Sequence, residues 1–547
     1  MKRSILTFAL ALAPALAITS ACDDAEHDLL ELGAGDYQKG GANGKADASV
    51  EAVIVDFEFD GSVLATSQFG AETTVESQML YTIGHLNGNN SVGRLDQLVL
   101  TDVTTVREGN LWRIDYHATL PVAWGNKNAV PSSYALTLPR DATSAGQERF
   151  TASYSHSCVD AGAHDIDAGS MWYYYRPARS GCTLAAADVV RTTATVSVSE
   201  VNTTGKYPEY DKVWEDDVLK VVAVFGKYED GATTSSDAGI AAYNKFSKAV
   251  RSELGSSVTT VPASVPSSPG VAMPDITWSV TRADGRRVQV TALLVDNVRT
   301  AGAAFDARYG ELSTRADVIV YGGHAGLGAN VRALARKGEW VRGQYVIAFE
   351  NGCDTYAYVD GALFDAHAAI NPDDPNGTRH VDLMMNAMPS FFSEMSNATM
   401  AIMRGLLSYD DPKTFEQIMA NIDSDEVVLV SGEQDNLFVP GGGEGGEGEG
   451  AWTGLDESGT VAKNQELRFE TPVLAAGRYV FEITGTADAD LYIRTGIAPT
   501  EAVYECRPYK SGSDETCTVE LSSAAAIHVM VRGWASSSSF ELTAGAE

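Results

Sequence analysis

The chain has 547 residues, of which 44% are hydrophobic and 21% are charged, so it is long enough for about three or four domains with substantial cores. Its formal net charge is −33, and so acidic a surface argues against nucleic acid or an anionic membrane as a partner. It is compatible with calcium binding or basic substrates, and it is also typical of a well-solvated exported protein.

The N-terminus has the pattern of an export signal. Two basic residues precede an apolar run, residues 5–18, that is too short to cross a membrane as a mature helix. The run ends in TSAC at residues 19–22, which resembles the lipobox of bacterial lipoproteins, although threonine replaces the leucine preferred in that family. We expect cleavage after Ala21 and a lipid on Cys22, which would be the chain's only link to a membrane. Plain cleavage without a lipid is the alternative, and residues 22–47 predict a flexible spacer.

Six cysteines define the redox chemistry of the chain: Cys22, Cys158, Cys182, Cys353, Cys506 and Cys517. We predict the disulfides Cys158–Cys182 and Cys506–Cys517, because each pair brackets a short loop and export leads to an oxidising compartment. If Cys22 carries a lipid, Cys353 is the only thiol left. A lone thiol beside a glycine turn is a candidate nucleophile, and a small buried core cysteine is the alternative.

Residues 48–210 show short alternating runs separated by Gly, Asn and Pro turns. That spacing predicts an all-β, sandwich-like domain. Its role stays open between a propeptide, an inhibitory cap and a recognition module.

Residues 215–440 show a different pattern. A continuous apolar run at 218–225 predicts a buried strand, and Asp237 and Gly255 mark the start and the end of a helix. Asp284 and Gly285 have the turn signature of a β-hairpin. The order βα, ββ, α, β, α, β predicts an α/β domain with a mostly parallel sheet and helices on both faces.

Two short apolar runs in this domain, residues 318–321 and 345–349, are each followed by glycine and a reactive side chain. The side chains are His324 and Cys353, and the interval between the two runs predicts a helix. A strand–helix–strand crossover places the carboxyl ends of both strands at one sheet edge, where α/β sheets bind ligands. We therefore hypothesise a cysteine–histidine catalytic dyad.

Acidic residues accompany the predicted dyad. Asp354 follows Cys353 directly, and Glu433 and Asp435 follow the last predicted strand, so we expect all three near one substrate pocket. Asp373 and Asp374 lie in a Pro/Gly-rich segment that predicts either a calcium site or a turn.

A Gly/Glu-rich linker, residues 441–457, precedes a small β domain at 458–547. This domain resembles the bacterial pre-peptidase C-terminal domain in the blocks DADLYIR (488–494), YECRPY (504–509) and ETC (515–517), with PT at 499–500 and SG at 511–512. The resemblance implies a non-catalytic β-sandwich appended to a secreted peptidase. Some members of that family bind calcium near the segment that corresponds to Asp488 and Asp490.

The central domain resembles the caspase and gingipain group of cysteine peptidases around GGHAGLG (322–328) and NGCDT (351–355). The resemblance implies that Cys353 is the nucleophile and His324 its proton acceptor, with no cofactor required. The backbone N–H groups of Gly323, Ala325, Gly326 and Cys353 would hold the oxyanion. Ala325 departs from that group, which usually has glycine directly after the histidine.

Together these features predict an exported cysteine endopeptidase, lipid-anchored or extracellular, that cleaves a protein or peptide through an acyl-enzyme. Absence of the His-Glu-x-x-His and Gly-x-Ser-x-Gly motifs disfavours the common zinc and serine hydrolases. The main alternative is a non-catalytic surface-binding lipoprotein on the same caspase-like scaffold. Another acyl transfer by the same dyad is a third reading.

Overall fold

A computed structural model describes residues 47–440, except 162, 164, 165 and 408, and residues 454–546, except 472, 473, 475, 476 and 522–524. The chain divides into two compact units, the first ending at Phe438 and the second beginning at Val439. The predicted export signal, Cys22 and most of the predicted spacer and linker lie outside the described residues.

The first part of unit 1 contains one antiparallel sheet with helices packed on it. A short strand, β1 (Asp47–Ser49), comes first and belongs to a different sheet, described below. The antiparallel sheet has the order β3-β5-β2-β7-β6, with β4 paired to β5. Its strands are β2 (Val53–Ala65), β3 (Ser91–Gly93), β4 (Val99–Glu108), β5 (Leu111–Trp124), β6 (Ser133–Pro139) and β7 (Val189–Val198). The helices are α1 (Ala71–Met79), α2 (Tyr81–Asn87), α3 (Ser144–Tyr154) and α4 (Met171–Tyr174).

This architecture differs from the expected all-β sandwich, because helices cover the sheet where a second sheet was expected. Val75, Met79, Ile83 and Leu86 are fully buried and recur every three or four residues, which is the spacing of one helical face. The predicted disulfide Cys158–Cys182 is present in this part of the unit.

The second part of unit 1 is a mixed sheet with helices on both faces. Its strands are β8 (Val218–Gly226), β9 (Thr259–Val261), β10 (Asp275–Thr281), β11 (Arg287–Val295), β12 (Val318–Gly322), β13 (Val346–Asn351), β14 (Val381–Asn386) and β15 (Val428–Ser431). The helices are α5 (Tyr210–Val213), α6 (Ala238–Leu254), α7 (Ala303–Ser313), α8 (Ala329–Lys337), α9 (Thr355–Tyr358), α10 (Ala362–Ile370), α11 (Phe392–Leu407) and α12 (Phe415–Met419).

The strand order of this sheet within the described residues is β1-β15-β14-β13-β12-β8-β11-β10-β9. The strands from β14 to β11 are parallel to one another, whereas β15 and β10 run antiparallel to their inner neighbours. The parallel part therefore forms the centre of the sheet. Its strands are buried along their length, which explains why they read as continuous apolar runs.

Local signals in the sequence position these elements as predicted. The Asp237 side chain accepts a hydrogen bond from the N–H of Ile240 at 2.9 Å and caps α6. Gly255 ends that helix with a φ of 79°, a conformation that glycine adopts without a Cβ penalty. Asp284 and Gly285 form the turn of the hairpin between β10 and β11.

The two faces of the mixed sheet bury different partners. One face packs on α6, α11 and α12. The other face packs on α7 and α8, and near β14 and β15 it shares a continuous hydrophobic core with the helices and the antiparallel sheet of the first part. The two parts of unit 1 are thus joined by a common core rather than by a linker.

A buried charge network reinforces this junction. Arg94, 1% exposed, donates to Asp47 at 2.9 Å, to Asp96 at 3.0 Å and to the Ser431 hydroxyl at 2.8 Å. The Tyr356 hydroxyl also donates to Asp47, at 2.9 Å. A buried charge is tolerated only when it is paired in this way, so loss of one partner should be strongly destabilising.

Unit 2 is a β-sandwich. One sheet has the order β16-β22-β18-β20 and the other β17-β21-β19, and both sheets contribute to one hydrophobic core. Its strands are β16 (Leu455–Ala462), β17 (Glu466–Glu470), β18 (Gly477–Gly485), β19 (Ala489–Thr495), β20 (Glu515–Leu521), β21 (Ile527–Gly533) and β22 (Ser537–Ala546). The predicted disulfide Cys506–Cys517 is present. Strand β16 starts at Leu455, inside the segment predicted as linker.

Candidate active site

His324 and Cys353 follow two neighbouring parallel strands at the same distance. The ladder between β12 and β13 ends with Gly322 opposite Asn351, and each reactive residue comes two positions later. The segments that follow β12 and β13 stay in contact beyond the ladder, because the N–H of Gly323 donates to the carbonyl of Asn351 at 3.2 Å. The structure therefore brings both residues to the same edge of the sheet.

The close approach of the two turns favours glycine at position 352. A Cβ atom at Gly352 would lie 3.0 Å from the Gly323 carbonyl oxygen and 3.2 Å from the Ala325 nitrogen. Such contacts are tighter than ordinary van der Waals distances, so a side chain here would push the two turns apart.

The backbone holds the His324 ring in one tautomer. Its Nε2 atom lies 2.9 Å from the carbonyl oxygen of Tyr228, the second residue after β8. Because a carbonyl only accepts hydrogen bonds, Nε2 carries the proton, and Nδ1 is the atom that can accept one. The ring also packs against the rings of Tyr228 and Phe392, with centroid distances of 5.2 and 5.1 Å.

The backbone of His324 is anchored as well. Its carbonyl oxygen accepts hydrogen bonds from the Tyr321 hydroxyl at 2.7 Å and from the Asn330 side chain at 3.0 Å. Asn330 in turn accepts from the N–H of Arg299 at 3.1 Å. The turn that carries His324 is therefore tied to the start of α8 and to the loop after β11.

Cys353 is buried, with 3% of its surface exposed, and its Sγ lies 3.8 Å from the carbonyl oxygen of Ser390. The expectation that Cys353 is a lone thiol is wrong for this state of the protein. Cys353 is disulfide-bonded. The cysteine count reached the opposite result because it assigned Cys22 to a lipid, and that assignment concerns a residue outside the described part of the chain.

A buried polar network supports the turn before Cys353. The Ser390 hydroxyl donates to the side chain of Asn351, and the Glu426 carboxyl accepts from the N–H of Phe391 at 3.3 Å and from the Asn386 amide at 3.0 Å. Burial raises the pKa of Glu426 from 4.5 to about 7. Nothing in the sequence pattern singled out Glu426, because its link to the turn runs through residues distant in sequence.

The four N–H groups proposed for the oxyanion are not equivalent. That of Gly323 is engaged by Asn351, as described above. None of the hydrogen bonds seen among the described residues engages the N–H of Ala325 or Gly326. Gly326 has a φ of 58°, so the chain turns sharply between these two donors.

Asp354 does not point to a substrate pocket. It is fully buried and accepts hydrogen bonds from the Asn87 amide at 2.8 Å and from the Tyr173 hydroxyl at 2.9 Å. Burial raises its pKa to about 6. Both donors belong to the helices of the first part of unit 1, which therefore holds the residue next to Cys353.

Glu433 and Asp435 lie at the opposite edge of the sheet. The prediction assumed that the last strand is parallel, but β15 is antiparallel to β14 and pairs Ser431 with Leu383. Glu433 is buried and accepts from the Thr203 hydroxyl, and Asp435 accepts from Thr378. The structure does not bring these carboxylates together with His324 and Cys353.

The carboxylates suggested as metal ligands already have protein partners. Asp490 pairs with Arg507 at 2.6 Å, and Asp488 accepts from the N–H of Gly512 at 3.0 Å.

Asp373 pairs with Arg342 and Arg379 at 3.6 and 3.8 Å, and Asp374 accepts from the Arg379 N–H at 3.0 Å. Among the residues that the structure describes, no group of three or more His, Cys, Asp or Glu is placed to hold a metal ion. Structural calcium stays a prediction.

The sequence reasoning missed a cavity at the same edge of the sheet. Its volume is about 650 Å³, and it lies between the ends of β8 and β11 and the start of α7. Lys227 and Asp296, each the residue directly after one of those strands, contribute to its wall. The sequence could have indicated this cavity, because both residues directly follow predicted strands that are neighbours in a parallel sheet.

The C-terminal unit matches the family model of the bacterial pre-peptidase C-terminal domain over residues 467–533. The neutral protease of Vibrio proteolyticus is 48% identical over 56 residues, which are 10% of this chain and 9% of that protein. The zinc metalloprotease of Helicobacter pylori is 41% identical over 71 residues, 13% of this chain and 28% of that protein. Alkaline serine exoprotease A of Vibrio alginolyticus is 43% identical over 60 residues, 11% of each chain.

A solved structure described as vEP C-ter 100 is 32% identical to this chain over the matched region. The match covers 16% of this chain and 87% of that chain, with a TM-score of 0.15. The chain spans about a tenth of the length of the two Vibrio proteases, and the matches to the proteases concern the C-terminal domain alone. No helix among the described residues is long and apolar enough to cross a membrane. The protein is exported, and its C-terminal unit carries a bacterial pre-peptidase C-terminal domain.

Proposed function

We propose that this protein is an exported peptidase in which Cys353 and His324 form the catalytic dyad once the disulfide of Cys353 has been opened. The observation that carries the proposal is the placement of both residues two positions beyond adjacent parallel strands, with His324 fixed by the Tyr228 carbonyl. The C-terminal domain supports the peptidase class, because its named relatives include proteases. Those relatives are of metallo and serine types, so they do not support the cysteine mechanism.

The residues at this edge suit acyl transfer from a protein or peptide substrate. His324 takes the proton of the Cys353 thiol on Nδ1, and the thiolate attacks the scissile carbonyl to form a thioester. The same imidazole then gives the proton to the departing amine, and water hydrolyses the thioester. The N–H groups of Ala325 and Gly326, which none of the hydrogen bonds among the described residues engages, would stabilise the oxyanion, and removal of one such donor typically costs about 3–4 kcal/mol of barrier.

In this scheme the oxidised protein is inactive. A dithiol reductant attacks the disulfide of Cys353, two protein thiols form, and the reductant becomes a cyclic disulfide. The reaction needs no other co-reactant. The scheme therefore predicts that hydrolysis depends on prior reduction, whereas a serine or metallopeptidase would not require it.

The test compares the reduced full-length protein with Cys353→Ala and His324→Ala on a peptide library. Both variants should lose at least ~10³-fold in kcat/KM. His117→Ala is the matched control, because His117 is a partly exposed histidine paired with Asp60 in the first part of unit 1. Circular dichroism before and after reduction checks that the fold survives.

Two outcomes would contradict the proposal. Hydrolysis that persists in both Cys353→Ala and His324→Ala would exclude the dyad. Hydrolysis that is independent of reductant and abolished by a metal chelator would assign the protein to the metallo type found among the relatives of the C-terminal domain.

A second candidate function is a non-catalytic binding protein on the same scaffold, tethered or released at the cell surface. The observation that favours it is the state of Cys353, which is 3% exposed and disulfide-bonded. On this reading the disulfide is structural. It predicts that reduction lowers the stability of unit 1 and releases no peptidase activity.

A further inference from the structure

The cavity at the ends of β8 and β11 has the dimensions of a ligand site. Its volume of about 650 Å³ falls within the range of small-molecule pockets, so it has room for a large side chain. Most of its wall is apolar and comes from Val271, Pro274, Leu294 and Phe305, together with alanines at the start of α7. Phe305 is held in place by stacking on Tyr309, with a centroid distance of 5.6 Å and ring planes 3° apart.

The cavity lies beside His324 on the side away from Cys353. The strands follow one another in the order β13, β12, β8 and β11. Cys353 follows the first, His324 the second, and the cavity wall begins at Lys227 after the third. Lys227 precedes Tyr228, whose carbonyl oxygen is 2.9 Å from His324 Nε2.

Two of the three charged residues in the cavity wall compensate each other, and the third, Asp230, is exposed to solvent. The Lys227 ammonium pairs with the Asp296 carboxylate, which also accepts from the N–H of Gly231 at 3.1 Å. A charged ligand would have to compete with this ion pair. An apolar ligand would replace water on the Val271, Leu294 and Phe305 surfaces without breaking it, and apolar burial stabilises by roughly 25 cal/mol per Å².

The direction of the peptidase chemistry then identifies the occupant. His324 protonates the departing amine, so the scissile nitrogen lies beside His324, and the residues that follow it can extend along the sheet edge towards the cavity, away from Cys353. We propose that the cavity is a specificity subsite for a large apolar side chain on the amine side of the scissile bond. The inference rests on the proposed peptidase function, and it adds that the enzyme selects its substrate by a side chain on the amine side of the scissile bond.

The test has two arms, so that failure of the subsite and failure of the peptidase function can be told apart. In the first arm, the reduced protein is assayed on peptides that carry Leu, Gly, Lys or Glu in the first two positions after the scissile bond. Leu should give a kcat/KM about 10- to 100-fold above Gly, the range expected for an apolar pocket. Lys and Glu should both lie well below Leu.

The second arm measures binding without catalysis. Isothermal titration of the oxidised protein with amine-side fragments should show binding of the Leu peptide and at least tenfold weaker binding of the Lys and Glu peptides. Ala304→Trp fills the cavity from an exposed position at the start of α7 and should abolish both preferences. Ala241→Trp is the control, since Ala241 is an exposed alanine on α6 outside the cavity wall.

Each combination of results is decisive. If the Leu fragment binds the wild type but not Ala304→Trp, and the protein hydrolyses no peptide, the subsite is supported and the peptidase function is rejected. Hydrolysis with equal rates for Leu and Gly, or an unchanged preference in Ala304→Trp, would reject the subsite and keep the function. Absence of both binding and hydrolysis would reject the subsite.

Discussion

The Glu426→Gln substitution gives a quantitative test of the buried network that supports the Cys353 turn. Burial is the main cause that raises the pKa of Glu426 from 4.5 to about 7, and the nearby carboxylates of Asp423 and Glu394 act in the same direction. Between pH 4.5 and about 7 the folded protein keeps a proton that the unfolded chain has lost. The free energy of unfolding therefore falls as pH rises through this interval, by about 3 kcal/mol in total, and is flat above it.

Glutamine should be accepted at this position. Its carbonyl oxygen can take the hydrogen bond from Phe391 N–H, and its amide can donate to Asn386 after the Asn386 amide flips. The flip would pair the Asn386 Oδ1 atom, which is buried without a partner among the described residues, in place of Nδ2, so the number of paired amide atoms stays the same. We expect the variant to match the wild type at pH 4.5 and to be about 3 kcal/mol more stable at pH 8.

The assay is urea unfolding of the oxidised protein at pH 4.5, 6, 7 and 8, followed by tryptophan fluorescence of the unit 1 transition. Glu72→Gln, at an exposed glutamate of α1, is the matched control. A difference between Glu426→Gln and wild type that stays constant from pH 4.5 to 8 would refute the reasoning, since it would mean that Glu426 titrates alike in both states.

Three further variants test other parts of unit 1. Arg94→Ala leaves two buried carboxylates unpaired at the junction and should lower the free energy of unfolding by about 3–5 kcal/mol; a loss below 1 kcal/mol would show that the junction does not depend on it. Tyr321→Phe removes a buried donor to the His324 carbonyl and should lower the free energy of unfolding, measured with urea, by about 1 kcal/mol. An unchanged free energy would contradict this prediction. Joint replacement of Cys158 and Cys182 by Ala opens a loop between residues 24 positions apart and should cost about 3 kcal/mol; an unchanged thermal midpoint would contradict this.

The sequence was informative wherever a local rule decides the structure. The Asp237 cap, the hairpin at Gly285 and the buried parallel strands before His324 and Cys353 follow from capping, turn and burial patterns within short windows. The common sheet edge of His324 and Cys353 followed from one topological rule about crossover connections. These features needed no knowledge of distant contacts.

The missing features depend on contacts between distant segments. The direction of β15 is not encoded in its apolar run, so Glu433 and Asp435 were assigned to the wrong edge of the sheet. The side chains that donate hydrogen bonds to the buried Asp354 carboxylate belong to residues more than 180 positions earlier in the sequence. The disulfide of Cys353 was missed because a count of cysteines does not establish which of them pair.

The helices of the first part of unit 1 were missed for a different reason. Helices α1 and α2 are short, and the surrounding alternation of strands dominated the pattern. Val75, Met79 and Ile83 have helical spacing, but three residues in a short window do not separate a helix from an irregular segment. Only the packing of these side chains against the antiparallel sheet decides the matter.

Covalent trapping at Cys353 tests the central claim most directly. The reduced full-length protein is treated with a peptidyl acyloxymethyl ketone, and the labelled residue is located by mass spectrometry in the wild type and in His324→Ala. The account predicts a thioether on Cys353 in the reduced wild type, no label in the oxidised protein, and labelling at least tenfold slower in His324→Ala. Equal labelling rates in the wild type and His324→Ala, or peptide hydrolysis by a protein whose Cys353 is not labelled, would contradict it.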